Sequence, residues 1–134
     1  MPTPQPFEQA LILIGYWSGG HGSNETWPAV SDFIDHDWDE EERFDVGTYL
    51  KYGLVARAWM GYAPCRLCDK QTNGNLDLTD GVYLWPEGLA HYVLDHKVRP
   101  PEEFVRHVHA LNRWSDDWQI NDAWWRSKRR RAGS

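Results

Sequence analysis

The chain has 134 residues, 41% hydrophobic and 25% charged, ordinary values for a soluble globular protein, and one domain is the expectation at this length. No apolar run approaches the roughly 20 residues that a membrane span needs, so no membrane partner is expected, and with no secretory pattern the expected address is the cytoplasm. The formal net charge of −6 hides an asymmetry: residues 126–134 hold five of the fourteen basic groups and no acid, so residues 1–125 carry a net −11 that disfavours phosphate backbones.

Met1 to Pro6, with three prolines, reads as a loose lead-in. Leu11 to Trp17 is expected as a strand, ended by the loop chemistry of Ser18-Gly19-Gly20-His21-Gly22. That loop is rich in glycine but lacks the lysine and the spacing of a phosphate-binding loop. Trp27-Pro28 should open a short helix through about Ile34, and Asp45 should cap a second that runs to Tyr52 and stops at Gly53. Between them lies an acidic run: Asp35, Asp37, Asp39, Glu40, Glu41 and Glu42. Leu54 to Tyr62 is β-like, with Val55, Arg57 and Trp59 on one face and Leu54, Ala56, Ala58 and Met60 on the other. Leu76-Asp77-Leu78 and Val82-Tyr83-Leu84-Trp85 flank Asp80-Gly81, a hairpin signal. Pro86-Glu87-Gly88 opens a helix to about His96 or Lys97, and Pro101 opens another whose Phe104, Val105, Val108 and Leu111 recur at helical spacing. Ser115, followed by Asp116 and Asp117, reads as the cap of a last helix that reaches Trp124-Trp125. The nine tryptophans are spread over the whole chain, which favours a core role for most of them over an aromatic binding surface.

Cys65 and Cys68 are separated by two residues, His91 and His96 by four, and the pairs by twenty-two. Cysteines so spaced form a knuckle whose thiolates point at one cation, and two histidines late on a helix close a tetrahedron. The histidines lie about 140° apart on an ideal helix, so its last turn must loosen or tighten for both to reach one ion. Free thiols, a disulfide or a redox pair are the competing readings. A thioredoxin-like pair sits at a helix start, whereas Asp69 to Asn75 reads as turn.

The order of knuckle, hairpin and helix resembles the zinc-finger class that uses two cysteines and two histidines, over Tyr62 to Lys97, about a quarter of the chain. The resemblance implies zinc, with Cys65, Cys68, His91 and His96 as ligands. It does not extend to DNA reading: the middle spacer is 22 residues rather than about 12, there is one unit, and the helix offers no arginine for guanine. Pro64-Cys65-Arg66-Leu67-Cys68 also matches half of the zinc-deaminase signature, but Trp38 stands where the glutamate after His36 belongs. His107 and His109 offer replacement ligands or surface imidazoles.

The expected architecture is α+β: a small antiparallel sheet with a zinc-bound knuckle-hairpin-helix unit and flanking helices. Residues 1–125 form the zinc-stabilised domain, with the zinc unit at 62–97, and residues 126–134 form a basic C-terminal tail. The expected function is a non-catalytic binding or regulatory module, an adaptor, regulator or immunity-type inhibitor. Its protein partner meets Asp35, Asp37, Asp39, Glu40, Glu41 and Glu42, or the tail cations Arg129, Arg130 and Arg131. Two alternatives stay open: a zinc-dependent enzyme in which water replaces one proposed ligand, and a nucleic-acid binder that uses the basic tail and exposed aromatic residues.

Overall fold

A computed structural model describes residues 10–19, 24–116 and 119–129, with backbone alone for 113–116. The proline-rich lead-in, His21 and its neighbours, Asp117, Trp118, Arg130 and Arg131 lie outside the described residues, as do the side chains of Trp114, Ser115 and Asp116. The architecture is α+β, with four α-helices and a four-stranded sheet in the order β1-β4-β3-β2 among the described residues.

Strand β1 is only Ile12–Leu13, and it pairs in parallel with β4 (Tyr83–Pro86), Ile12 opposite Tyr83 and Leu13 opposite Leu84. The sheet is therefore mixed rather than antiparallel, because everything from residue 14 to 82 lies between these two neighbours and supplies the long connection that parallel pairing needs. Gly15, at φ +78°, turns the chain out of the strand well before Trp17; a Cβ there would sit 2.7 Å from the Leu89 side chain. In place of a helix from Trp27 there is a 3₁₀ turn, Val30–Phe33, after which Ile34 bridges Val98.

Helix α1 spans Glu40–Lys51 and starts inside the acidic run, not at Asp45. The Asp39 carboxylate accepts the Glu42 N–H at 2.9 Å, and Glu40, Glu41 and Glu42 lie at the positive end of the helix dipole. A run of acids is thus a helix start. Gly47 lets α1 close on α2 (Leu89–His96), since a Cβ at that position would lie 2.3 Å from Leu94 Cδ2.

Strand β2 (Leu54–Ala58) ends earlier than Tyr62 and pairs antiparallel with β3 (Leu76–Thr79), with an irregularity between Val55 and Arg57. Its position at the edge leaves all five residues exposed, so neither of its expected faces is buried. The hairpin forms as expected: Gly81 takes φ +92°, and Asp80 Oδ1 accepts the N–H groups of Val82 and Tyr83 at 2.9 and 2.8 Å. Helix α3 runs from Glu102 through Ser115 to Asp116, because extending a formed helix is easier than starting a new one at an internal cap; a separate short helix, α4 (Ala123–Arg126), carries the Trp124-Trp125 pair.

Trp85, on β4, is the centre of the core; its indole N–H donates to Leu50 O at 3.0 Å and its ring meets Phe104 edge-on. Trp17, Trp38 and Trp85 are buried, whereas Trp59, Trp124 and Trp125 are exposed, so among the described residues tryptophan serves the surface as well as the interior.

Candidate metal centre

The segment between β2 and β3 is a loop tied at its base. Ala63 N–H donates to Gly74 O at 3.0 Å, Asn73 N–H to Ala63 O at 2.7 Å, and Cys65 N–H to Lys70 O at 2.8 Å. Leu67 N–H points at Cys65 Sγ, 3.4 Å away, as the knuckle geometry requires. Buried Asn73 anchors the loop to the helix start by donating to Gly88 O at 3.3 Å. Gly88 is needed there for space, since a Cβ would lie 2.2 Å from Asn73 O. Tyr92 of α2 holds the knuckle from the other side, its hydroxyl accepting the Arg66 N–H at 2.8 Å. Burial, foremost, and the nearby Cys65 push that phenol above its ordinary value near 10, so it remains a hydroxyl at neutral pH.

The far end of α2 resolves the spacing of its histidines. Lys97 is left-handed at φ 55°, and both Lys97 N–H and Val98 N–H donate to Tyr92 O, the latter at 3.1 Å. These bonds span five and six residues, so the final turn is wider than an α-turn. The loosened turn brings the His91 and His96 rings to a centroid separation of 4.9 Å with their planes at 89°.

Cys65, Cys68, His91 and His96 converge. One donor atom from each lies within 4.8 Å of every other, close enough to bind a metal ion. Around a tetrahedral ion bound at about 2.3 Å by sulfur and about 2.0 Å by nitrogen, donors stand roughly 3.3–3.8 Å apart. Cys68 Sγ and His91 Nε2 are 3.3 Å apart. His96 Nε2 is buried with no hydrogen-bond partner, an orphan that a metal bond would satisfy. Burial, and then the neighbouring His91, hold His96 below its ordinary value near 6.5, which keeps the imidazole neutral as a metal ligand must be. Both cysteines are free thiols, Cys65 buried and Cys68 exposed.

Asp95 is the functional residue that sequence reasoning missed. Its Oδ2 lies 2.6 Å from His91 Nδ1, so the imidazole donates through Nδ1 and leaves its Nε2 lone pair facing Cys68. A carboxylate behind a ligating histidine fixes its tautomer and raises its basicity. The signal was present, an acid four residues after a histidine on a helix.

Comparison with known proteins brings no relative. No family model, no curated protein and no solved structure matches the chain.

The remaining candidate residues fall elsewhere. His107 and His109 are not among the converging donors: His107 Nε2 sits 2.8 Å from Asp80 Oδ2, and His109 Nε2 sits 3.1 Å from Glu42 Oε2. The six acids of residues 35–42 divide by role. Asp35 and Glu42 pair with Arg99 at 3.4 Å, and Glu42 also accepts the buried Trp38 indole N–H at 2.8 Å. Those contacts lower the Glu42 pKa, first through the Trp38 hydrogen bond and then through His109 and Arg99. Asp37, Asp39, Glu40 and Glu41 face solvent, as does Arg129 of the tail. No helix among the described residues is long and apolar enough to cross a membrane.

Proposed function

We propose that the ion is zinc, that it is structural, and that the chain is a non-catalytic binding or regulatory module. The observation that carries this reading is the convergence of two thiols and two imidazoles within 4.8 Å. Sulfur and nitrogen donors in a tetrahedral set suit zinc, and four protein ligands leave no position for water or substrate. Bound there, zinc cross-links the loop between β2 and β3 to α2, joining the sheet to the helix that packs on α1.

The binding face in this reading is the solvent-facing acidic surface at the start of α1: Asp37, Asp39, Glu40 and Glu41. It lies on a body of net charge −11 and would steer a basic protein partner towards it. An adaptor, a regulator or an immunity-type inhibitor fits this description. The test is affinity capture from native extract with the zinc-loaded chain and with its Asp37→Lys/Glu40→Lys/Glu41→Lys variant. A basic protein retained by the first and lost by the second, with unchanged zinc content, supports the reading. Capture that ignores the charge reversal removes the acidic face from it.

A further inference from the structure

An open cavity of about 510 Å³ lies between α1 and the β2–β3 side of the sheet, within the roughly 300–1,000 Å³ of sites that bury a ligand. Phe44, Thr48 and Tyr52 line it at intervals of four residues, with Asp45 and Tyr49 one position on. Helical spacing therefore puts these five side chains along one side of α1 and its cap, as a single wall. Leu54, Thr79 and Asp80 line it from the sheet. Phe44 is 63% exposed and Tyr52 82%, so two rings of that wall are uncovered.

The cavity has one sign. Its charged lining residues are Asp45 and Asp80, and among the described residues no lysine, arginine or histidine lines it. Asp80 is engaged through both oxygens. Its Oδ1 accepts the hairpin N–H groups, and its Oδ2 accepts the Tyr49 hydroxyl at 2.5 Å and faces His107 Nε2 at 2.8 Å. The sign of the cavity therefore rests on Asp45, even where His107 meets the Asp80 charge. The Asp45 carboxylate is half-buried and has no hydrogen-bond or ion-pair partner among the described residues. The two cations of α1 are placed elsewhere: Arg43 donates to Leu94 O, and Lys51 lines the cleft beside α2. The cavity also continues the acidic face. Phe44 lines a second open hollow, of about 620 Å³, with Asp39, Glu40 and Glu41 against the single cation Arg43.

We propose that this cavity takes an arginine side chain of the basic protein partner, its guanidinium paired with Asp45 and lying against Phe44 and Tyr52. The assignment rests on the acidic-face reading above and names the partner residue that anchors there. A guanidinium is planar, weakly hydrated and always charged, so it lies on aromatic rings and forks onto a carboxylate at once. A lysine ammonium is a more strongly hydrated point charge and gains less from the rings. A bare divalent cation needs several oxygen ligands, which one unengaged carboxylate does not supply.

Amide chemical-shift titration of the full, zinc-loaded chain with acetyl-Gly-Arg-Gly-amide at neutral pH tests the assignment. Saturable shifts are expected at Gly53 and Thr79, which line the cavity. The citrulline tripeptide, with the same shape and no charge, should bind roughly tenfold more weakly, and so should the arginine tripeptide to Asp45→Asn. Asp45 has no partner to lose, so Asp45→Asn keeps the fold, as circular dichroism will show. Phe44→Leu, which removes the ring and keeps an apolar side chain, should weaken binding roughly threefold. The assignment is overturned by an absence of saturable shifts at these residues, by equal affinity for the lysine tripeptide, or by an affinity that Asp45→Asn leaves unchanged. Shifts at Gly53 and Thr79 produced by Arg129→Ser/Arg130→Ser/Arg131→Ser without any peptide would give the cavity to the chain's own tail and also overturn it. The acidic-face reading fails separately, in the capture experiment with the charge-reversed start of α1. Partner capture that survives Asp45→Asn would remove the cavity from that face and leave the face standing.

Discussion

Removing the Asp95 carboxylate tests the metal centre at its least obvious part. In Asp95→Ala the His91 Nδ1 loses its partner at 2.6 Å, so the ring is freer to rotate and both tautomers become accessible. Partners of this kind contribute roughly 10–100-fold to metal affinity. Asp95 is 64% exposed, so water takes over part of its role and the expected loss is near tenfold, about 1.4 kcal/mol. Asp95→Asn, which still presents an amide oxygen to Nδ1–H, should lose less. Competition against a chromophoric zinc chelator at neutral pH gives the affinities, and circular dichroism shows whether α2 persists. An unchanged affinity in a folded Asp95→Ala protein would refute the argument that this carboxylate orients a ligand.

Chelation, or Cys65→Ser, should raise hydrogen exchange across residues 62–97 and lower the melting temperature, because structural zinc sites supply folding free energy directly; unchanged exchange there would contradict a cross-linking role. Gly88→Ala should destabilise the fold by about 1–3 kcal/mol in denaturant titration, since the new methyl meets Asn73 O at 2.2 Å. Asp39→Ala should cost about 1 kcal/mol through loss of the α1 cap, also read by denaturant titration. Glu42 has a folded-state pKa below its ordinary 4.5, so the stability it contributes is complete above that value and drains away as pH falls through the folded pKa. Glu42→Gln should therefore flatten the acid limb of the stability profile relative to the parent, measured by thermal melts from neutral pH downward.

The convergence of Cys65, Cys68, His91 and His96 was legible in the sequence because its information is local: a cysteine pair with two intervening residues, turn residues, a hairpin signal at Asp80-Gly81 and a proline-led helix. Even the loosened last turn follows from the spacing of His91 and His96, and the left-handed Lys97 delivers it. Pairings over long separations were not legible. The parallel seat of β1 against β4 joins Ile12 to Tyr83, and no residue near Ile12 announces that partner. Buried Asp77 gathers the Tyr16 hydroxyl, Arg57 and Trp59 at 2.6, 2.9 and 2.8 Å, drawing on two segments distant from it in the chain. The start of α1 was hidden for another reason. Asp39 and the glutamates after it read as a solvated acidic run, yet acids at a helix N-terminus both cap it and meet its dipole.

The most direct measurement is elemental analysis of the purified chain combined with X-ray absorption at the zinc edge. One zinc per chain, with two sulfur and two imidazole nitrogen neighbours, is the predicted result. A chain that is fully folded without stoichiometric metal, or a shell that contains oxygen in place of one of these donors, would contradict it.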